Sequence, residues 1–134
     1  MTEKEILGAF GERVALHKLR HLGRAKRQTI QHAGDLVIDG VRVEVKCSKL
    51  TKVNAKKRGW QFCLRRDGHT DISHSDVVVL VGLGEHCETE KVWVIPVSVI
   101  REDRRKINIV RGSKSKWGFW HDRWDVVAAM VEVA

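Results

Sequence analysis

The chain has 134 residues, 43% of them hydrophobic, so we expect a single domain over residues 1–134 with a sizeable core. Lys and Arg outnumber Asp and Glu by 25 to 17, and the net charge of +8 favours a polyanionic partner, with nucleic acid the first candidate, although membrane-surface proteins share such a balance. No apolar run approaches the ~20 residues that span a bilayer, and three cysteines without a signal peptide indicate a soluble protein of the reducing cytoplasm.

The N-terminal segment predicts an amphipathic helix that ends near Gly23. Thr2 and Glu5 form a capping box, and Glu12 lies at the edge of the apolar stripe, where its carboxylate could reach past the helix towards a sheet. His17 and His21 stand four residues apart, but no third ligand accompanies them, so we expect no zinc site. The stripe consists of Leu7, Phe10, Val14, Ala15, Leu19 and Leu22.

Residues 34–46 predict a β-hairpin closed by the dipeptide Asp39-Gly40, which is typical of a type I′ turn. In the register that this turn sets, Asp35 faces Glu44 across the two strands. One face of the hairpin must lie on a core, because it carries only apolar side chains: Leu36, Ile38, Val41, Val43 and Val45. The other face carries Asp35, Arg42, Glu44 and Lys46.

The two opposed acids predict a cation between them. Like charges directly opposite each other destabilise a sheet, and a divalent ion would remove that repulsion. Mg²⁺ prefers one or two carboxylates together with waters and a substrate phosphate. Lys46 projects from the same face as Glu44 and would lie beside the phosphate.

The spacing Asp-x8-Glu-x-Lys, on Asp35, Glu44 and Lys46, resembles the catalytic motif of the PD-(D/E)xK nuclease superfamily, although Gly34 stands where that family often has proline. The resemblance implies that Asp35, Glu44 and the Val45 carbonyl bind Mg²⁺, for which Mn²⁺ can substitute, and that Lys46 positions or deprotonates the attacking water. The alternative is an exposed strand in which Lys46 forms a salt bridge with an acid.

Two further residues resemble supporting positions of the same superfamily. Glu12, within Gly11-Glu12-Arg13, resembles the acid that resolvase-like members place on the first helix near the metal. Gln61 resembles a residue on the strand after Glu-x-Lys that contacts water or a phosphate. A solvated glutamate and an exposed glutamine are the alternatives at these two positions.

Basic residues on either side of the hairpin are candidate phosphate contacts. We expect the segment from Cys47 to Arg58 to be a loop at the mouth of the site that grips the nucleic-acid backbone. Charge runs are also common on solvated surfaces. The candidates are Arg24, Lys26, Arg27, Lys49, Lys52, Lys56, Lys57 and Arg58.

Further strands are predicted downstream. Residues 60–64 alternate between apolar and polar side chains, and residues 77–81 form a continuous β-branched run that indicates a strand covered on both faces. Residues 92–96 end at the only proline, consistent with an edge or a strand end, and residues 107–110 predict a short strand. We expect Asp76 to be a turn or cap residue.

The C-terminal segment interleaves basic and aromatic residues, and Trp120, Trp124, Val127 and Val131 share a helical stripe. Such a segment can hold unstacked bases. We favour a terminal helix that packs its tryptophans on the sheet or on a second subunit, because aromatic side chains dominate cores and interfaces.

These features together predict an α/β fold with a central mixed β-sheet flanked by helices, similar to restriction endonucleases. The implied activity is Mg²⁺-dependent hydrolysis of DNA, most simply by a homodimer with one subunit for each strand. A Holliday-junction resolvase or other structure-selective nuclease fits, and so does a compact homing or restriction-type endonuclease. Alternatives of another class are a non-catalytic nucleic-acid-binding protein with a nuclease-like fold and an RNA-binding module.

Overall fold

The structure, a computed structural model, describes residues 2–22, 25–27, 36–66, 69–70, 72, 75–101 and 103–133. No helix in this part of the chain is both long and apolar enough to cross a membrane. The elements are α1 (Glu3–Leu19), β1 (Ala25–Arg27), β2 (Leu36–Ile38), β3 (Val41–Ser48), β4 (Thr51–Lys52), β5 (Arg58–Cys63), β6 (Arg65–Arg66), β7 (His69–Thr70), β8 (Val77–Leu83), β9 (Thr89–Pro96), β10 (Lys106–Val110) and α2 (Asp125–Val133), with single 3-10 turns at Val97–Val99 and Lys116–Trp120.

The larger sheet, here called sheet 1, has the strand order β1-β2-β3-β8-β9. β3 and β8 run parallel and their other neighbours pair antiparallel, which confirms the predicted mixed sheet. The β2–β3 turn has the two positive φ angles of a type I′ turn, 43° at Asp39 and 86° at Gly40. Leu36 pairs with Val43 and Ile38 with Val41, as the turn predicted.

The two faces of sheet 1 are covered differently. Both helices pack on one face, where Ala15, Leu19 and Val127 are buried against valines of β3, β8 and β9. The other face is covered by a three-stranded antiparallel sheet of order β10-β5-β4, here called sheet 2. Every residue of β8 is buried, so the predicted two-sided covering of this strand is confirmed. The helices thus flank the central sheet on one side, and a second sheet takes the other.

Trp60 of β5 fixes sheet 2 on sheet 1. Its indole Nε1–H donates to the Leu83 carbonyl over 2.8 Å, and its ring lies edge-on to Trp93 with centroids 5.4 Å apart. The same ring lies so close to Gly82 that a Cβ there would come within 2.9 Å of it. Because Trp60 is fully buried, the contact between the two sheets leaves no room for a residue larger than glycine at position 82.

The first helix follows its sequence signals with two differences. The Glu5 N–H donates to Thr2 Oγ1 over 3.2 Å, which is the predicted cap. The helix ends at Leu19, before the predicted boundary near Gly23. Phe10 was predicted on the buried stripe and is 39% exposed, because the sheet contacts a narrower strip of α1 than the apolar pattern spans.

The prediction of a loop over residues 47–58 is wrong at both ends of the segment and at Thr51–Lys52, which are strands. β3 continues to Ser48, and β4 pairs antiparallel with the start of β5. The turn between them is closed by Asn54 Oδ1, which accepts from the N–H groups of Lys56 and Lys57 at 3.0 Å each. Both residues of β4 are exposed, so their side chains do not alternate between apolar and polar. The sequence pattern therefore does not reveal this strand.

The predicted stripe of Trp120, Trp124, Val127 and Val131 does not lie on one helix. The backbone leaves the 3-10 turn after Trp120, and Asp122 has a φ of 51°, which no helix accommodates. Trp120 therefore packs with the core on the sheet 2 side, whereas Trp124, Val127 and Val131 pack with the core on the helix side. The tryptophans pack on both sides of sheet 1 as predicted, but they precede the terminal helix instead of lying on it.

Candidate active site

Glu44 and Lys46 lie on the face of β3 that looks away from the helices. Side chains alternate along a strand, and Val43 and Val45 belong to the core beneath α1, so Glu44 and Lys46 point to the opposite side. The parallel register places Glu44 beside Val78 and Lys46 beside Leu80, both in the core shared with sheet 2. The sequence thus brings an acid and an amine to the margin of an apolar layer.

The two side chains form an ion pair that is largely shielded from water. Glu44 Oε1 lies 3.2 Å from Lys46 Nζ, with the side chains 8% and 17% exposed. Removing two charges from water costs several kcal/mol per ion, and their attraction offsets this only in part. Such a pair is a poor device for stability, whereas charges held near an apolar wall are typical of sites that bind ions or move protons.

Asp35, the first acid of the proposed motif, lies outside the described residues. The register that would bring it opposite Glu44 is confirmed for the three pairs that follow it in β2, from Leu36 to Ile38. The opposition of Asp35 and Glu44 itself stays a prediction.

Glu12 is carried to β3 by a close contact at Gly11. A Cβ at Gly11 would lie 2.9 Å from Cys47 Cβ and 3.3 Å from Val45 Cγ1, so the helix backbone reaches the strand at the residues on either side of Lys46. Glu12, the next residue, is half-buried, and its Oε2 atom is shielded from solvent. The contact at Gly11 therefore places Glu12 beside β3, at the level of the Glu44–Lys46 segment.

Asp76 fixes the start of the parallel pairing between β3 and β8. Its Oδ2 accepts from the Arg42 N–H at 2.8 Å, and its own N–H donates to the Arg42 carbonyl at 2.9 Å. Its carbonyl accepts from the Val97 N–H at 3.0 Å. These bonds agree with a capping role for Asp76, and they link three strands at the end of the sheet that begins the Glu44–Lys46 stretch.

Gln61 lies on the outward side of sheet 2. Trp60 and Phe62 point into the core between the sheets, so Gln61 between them points away, and its side chain is exposed. Its N–H donates to Ser48 Oγ over 3.2 Å, which ties β5 to the end of β3. The backbone at Gln61 is therefore close to the strand that carries Lys46, while its side chain faces solvent.

The basic candidates of residues 49–58 are exposed, and two of them are already paired. Lys49 forms an ion pair with Glu3, and the Arg58 Nη1 donates to Glu85 Oε1 over 3.0 Å. The remaining three, Lys52, Lys56 and Lys57, project from the β4–β5 hairpin. Arg24 lies outside the described residues, and Lys26 and Arg27 are described only as backbone of β1.

His17 and His21, at the end of α1 and just beyond it, contact each other. The rings of His17 and His21 lie edge-to-face with centroids 5.8 Å apart, as a packed pair. Among the described residues no group of three or more His, Cys, Asp and Glu side chains converges to hold an ion.

Cys47 is an unreactive thiol by its surroundings. Burial beneath α1, with a smaller contribution from Cys87, raises the pKa of the Cys47 thiol to about 11. The thiolate is the nucleophilic form, so this neighbour of Lys46 is unsuited to nucleophilic catalysis at neutral pH.

Comparison with known proteins identifies the fold. No model of a known protein family matches the sequence, and no curated protein sequence matches it either. Among solved structures, that of a bacterial homing endonuclease, I-Ssp6803I, superposes with a TM-score of 0.72 over 99% of this chain and 96% of that chain, at 19% sequence identity. At this identity the likeness shows a shared fold, and function must be argued from the residues.

Proposed function

We propose that this protein is a DNA endonuclease of the PD-(D/E)xK type that hydrolyses phosphodiester bonds with the help of a divalent cation. The observation that carries the proposal is the shielded Glu44–Lys46 pair, 3.2 Å apart on the strand that leaves the Asp39-Gly40 turn. The net charge of +8 supports a polyanionic substrate. The fold shared with a bacterial homing endonuclease also supports DNA cleavage.

Asp35, Glu44 and the Val45 carbonyl would hold Mg²⁺, or Mn²⁺ in its place. The donor set fits, because it consists of hard oxygen atoms, and Glu44 provides a carboxylate that sits 6% exposed beside an apolar wall. Magnesium sites commonly use only one or two carboxylates, so a third acidic side chain is not required. A bound cation there supplies positive charge at the phosphate and makes water more acidic.

Lys46 would orient the attacking water and donate to a phosphate oxygen. The water oxygen forms a bond to phosphorus as the bond from phosphorus to the 3′ oxygen breaks in line with it. The water proton passes to solvent and the departing 3′ oxygen takes one up, which leaves a 5′-phosphate and a 3′-hydroxyl. Glu12 would support this site from α1, whose backbone contacts β3 on either side of Lys46.

A linear target of defined sequence is the favoured substrate. The structural likeness is to a homing endonuclease, and a homing-type function predicts cleavage at one linear site. A Holliday-junction resolvase remains the second candidate, because the motif resembles both groups. We propose a homodimer in either case, since one active site serves one strand at a time.

The deciding experiment compares wild type with Lys46→Ala on a pool of linear duplexes of random sequence and on a synthetic four-way junction, each with Mg²⁺ or EDTA. Lys114→Ala is the matched control, because Lys114 is an exposed lysine of the loop after β10. We expect cleavage with Mg²⁺ only, and a loss of about 10²–10⁴-fold in Lys46→Ala, the usual contribution of a positioned acid or base.

The outcomes separate the candidate functions. Cleavage of the junction regardless of sequence supports a resolvase, and cleavage of selected linear duplexes supports the homing or restriction type. Equal cleavage by wild type and Lys46→Ala points to a contaminating nuclease and overturns the proposal. Binding of DNA that is indifferent to Mg²⁺ and to Glu44→Ala, with no cleavage, identifies a non-catalytic binding protein. Binding of RNA that depends on Trp120 supports an RNA-binding module.

A further inference from the structure

The outward face of sheet 2 carries a pair of carboxamides. β5 and β10 pair antiparallel with Gln61 directly opposite Asn108, so the two side chains lie next to each other on one face. Both residues are exposed. Cys63 and Lys106, the next pair along the same face, are exposed as well.

This face is not needed to complete the core. The opposite face of the same two strands carries Trp60, Phe62, Ile107 and Ile109, all of them buried between the sheets. An antiparallel sheet with one face on a core leaves the other to water. The polar face is therefore free to contact a partner without disturbing the fold.

The surroundings of the carboxamide pair are positive. Lys106 lies on this face, beside Cys63, and Lys56 and Lys57 lie in the turn that leads into β5. Lys52 and Arg58 pair with each other on the alternate side of their strands. The strands β4, β5 and β10 contain no acid. Arg58 is held by Glu85, while Lys52, Lys56 and Lys57 are exposed. A partner that covers this face meets positive charge at Lys106 and at the turn lysines, which favours a polyanion.

A single carboxamide side chain recognises one base in particular. Asn and Gln donate to and accept from the N7 and N6 positions of adenine in the major groove, a bidentate contact that no other base pair offers in the same form. Side chains directly opposite each other in a sheet lie roughly 5 Å apart, and successive base pairs lie about 3.4 Å apart, a difference that the flexible side chains of Gln61 and Asn108 can span. Two adjacent amides can therefore address two neighbouring base pairs.

We propose that the outward face of sheet 2 enters the major groove of the DNA substrate, where Gln61 and Asn108 read adenines of neighbouring A·T pairs and the flanking lysines contact the backbone. This inference rests on the proposed function. The groove is about 12 Å wide and admits a two-stranded ribbon, whose strands lie about 4.8 Å apart. Gln61 then acts in sequence recognition, away from the chemistry that the motif resemblance suggested for it.

The test is selection of bound duplexes from a pool of random 40-base-pair DNA, in EDTA so that no cleavage occurs. Wild type, Gln61→Ala, Asn108→Ala and the control Thr89→Ala, an exposed residue of β9, are compared by sequencing the retained duplexes. We expect adjacent A·T preferences for wild type and for the control. Each carboxamide variant should lose preference at one of the two positions by roughly 5- to 150-fold.

A role in catalysis or in folding would not give that result. A catalytic Gln61 would leave base preference in EDTA unchanged, and a misfolded variant would lose all binding in place of one position. Retention of specific duplexes with an unchanged motif in both variants overturns the recognition role and leaves the proposed function standing. Failure of wild type to retain any duplex overturns both.

The alkylation rate of Cys63 gives an independent measurement on the wild-type protein. It lies on the same outward face, whereas Cys87, also exposed, lies in the turn between β8 and β9. Retained duplexes should slow alkylation of Cys63 more strongly than that of Cys87. Equal rates for Cys63 with and without bound DNA would contradict docking at this face.

Discussion

Sheet 1 and sheet 2 treat their polar side chains in opposite ways. β3 of sheet 1 holds Glu44 and Lys46 nearly out of contact with water, whereas β5 and β10 of sheet 2 leave Gln61 and Asn108 exposed. Removing two charges from water costs free energy, so the Glu44–Lys46 pair calls for a chemical explanation. Exposed amides cost little free energy, so the role of Gln61 and Asn108 is argued from their position and from the charges around them. Under the two proposals, sheet 1 carries the cleavage chemistry and sheet 2 the base recognition.

Glu44→Gln should give the largest effect and the clearest separation of the two sheets. The change removes a negative charge and keeps nearly the same shape, so we expect cleavage to fall by at least about 10²-fold while duplex binding in EDTA persists. Asp103→Asn, at an exposed acid paired with Arg101, is the control. Undiminished cleavage by Glu44→Gln would exclude Glu44 from the chemistry.

Trp60→Ala should couple the two regions by breaking the joint between them. The indole is fully buried, donates to the Leu83 carbonyl and packs against Gly82. We expect the free energy of unfolding in urea to fall by about 3–5 kcal/mol, the usual cost of deleting a buried aromatic side chain. Phe119→Ala, at a ring that is 64% exposed, should cost about 1 kcal/mol or less. Similar losses in the two variants would show that the sheets fold independently.

Cys47 and Cys63 report how well each sheet is covered. With a pKa of about 11 against an ordinary 9.0, Cys47 has about 100-fold less thiolate near pH 8 than an ordinary thiol. We expect iodoacetamide to modify Cys63 within minutes and Cys47 far more slowly, by mass spectrometry of the folded protein. The reaction of Cys47 should accelerate as the pH rises towards 11, and the stability that its raised pKa contributes below pH 9 should decline over that range. Equal rates at pH 8 would mean that α1 does not shield β3.

Gly40→Ala should give the smallest effect and should act on sheet 1 alone. A Cβ at this position meets no atom within 4 Å, so the cost comes only from the φ of 86°, which side chains disfavour. We expect a loss of about 1–2 kcal/mol in unfolding free energy. Gly118→Ala also has open space but no positive φ, and should change stability by no more than about 0.5 kcal/mol. A neutral Gly40→Ala would argue against a turn that dictates the register.

Local chemistry determined much of the fold in advance. The Asp39-Gly40 dipeptide specifies a turn whose twist admits a single register, and Thr2 with Glu5 specifies the start of α1. A run of β-branched residues over 77–81 can be satisfied only between two apolar layers. In each case the deciding interactions lie within a few residues of one another, so the sequence alone was sufficient.

Only the tertiary structure decided which layer covers which face. Alternation shows that Gln61 lies opposite Trp60 on its strand, but the pairing of Gln61 with Asn108 joins residues from distant parts of the chain. The division of the tryptophans between the two cores depends on a backbone break at Asp122 that the helical spacing conceals. Periodicity specifies the buried side of an element, whereas the partner on that side is selected by packing over the whole molecule.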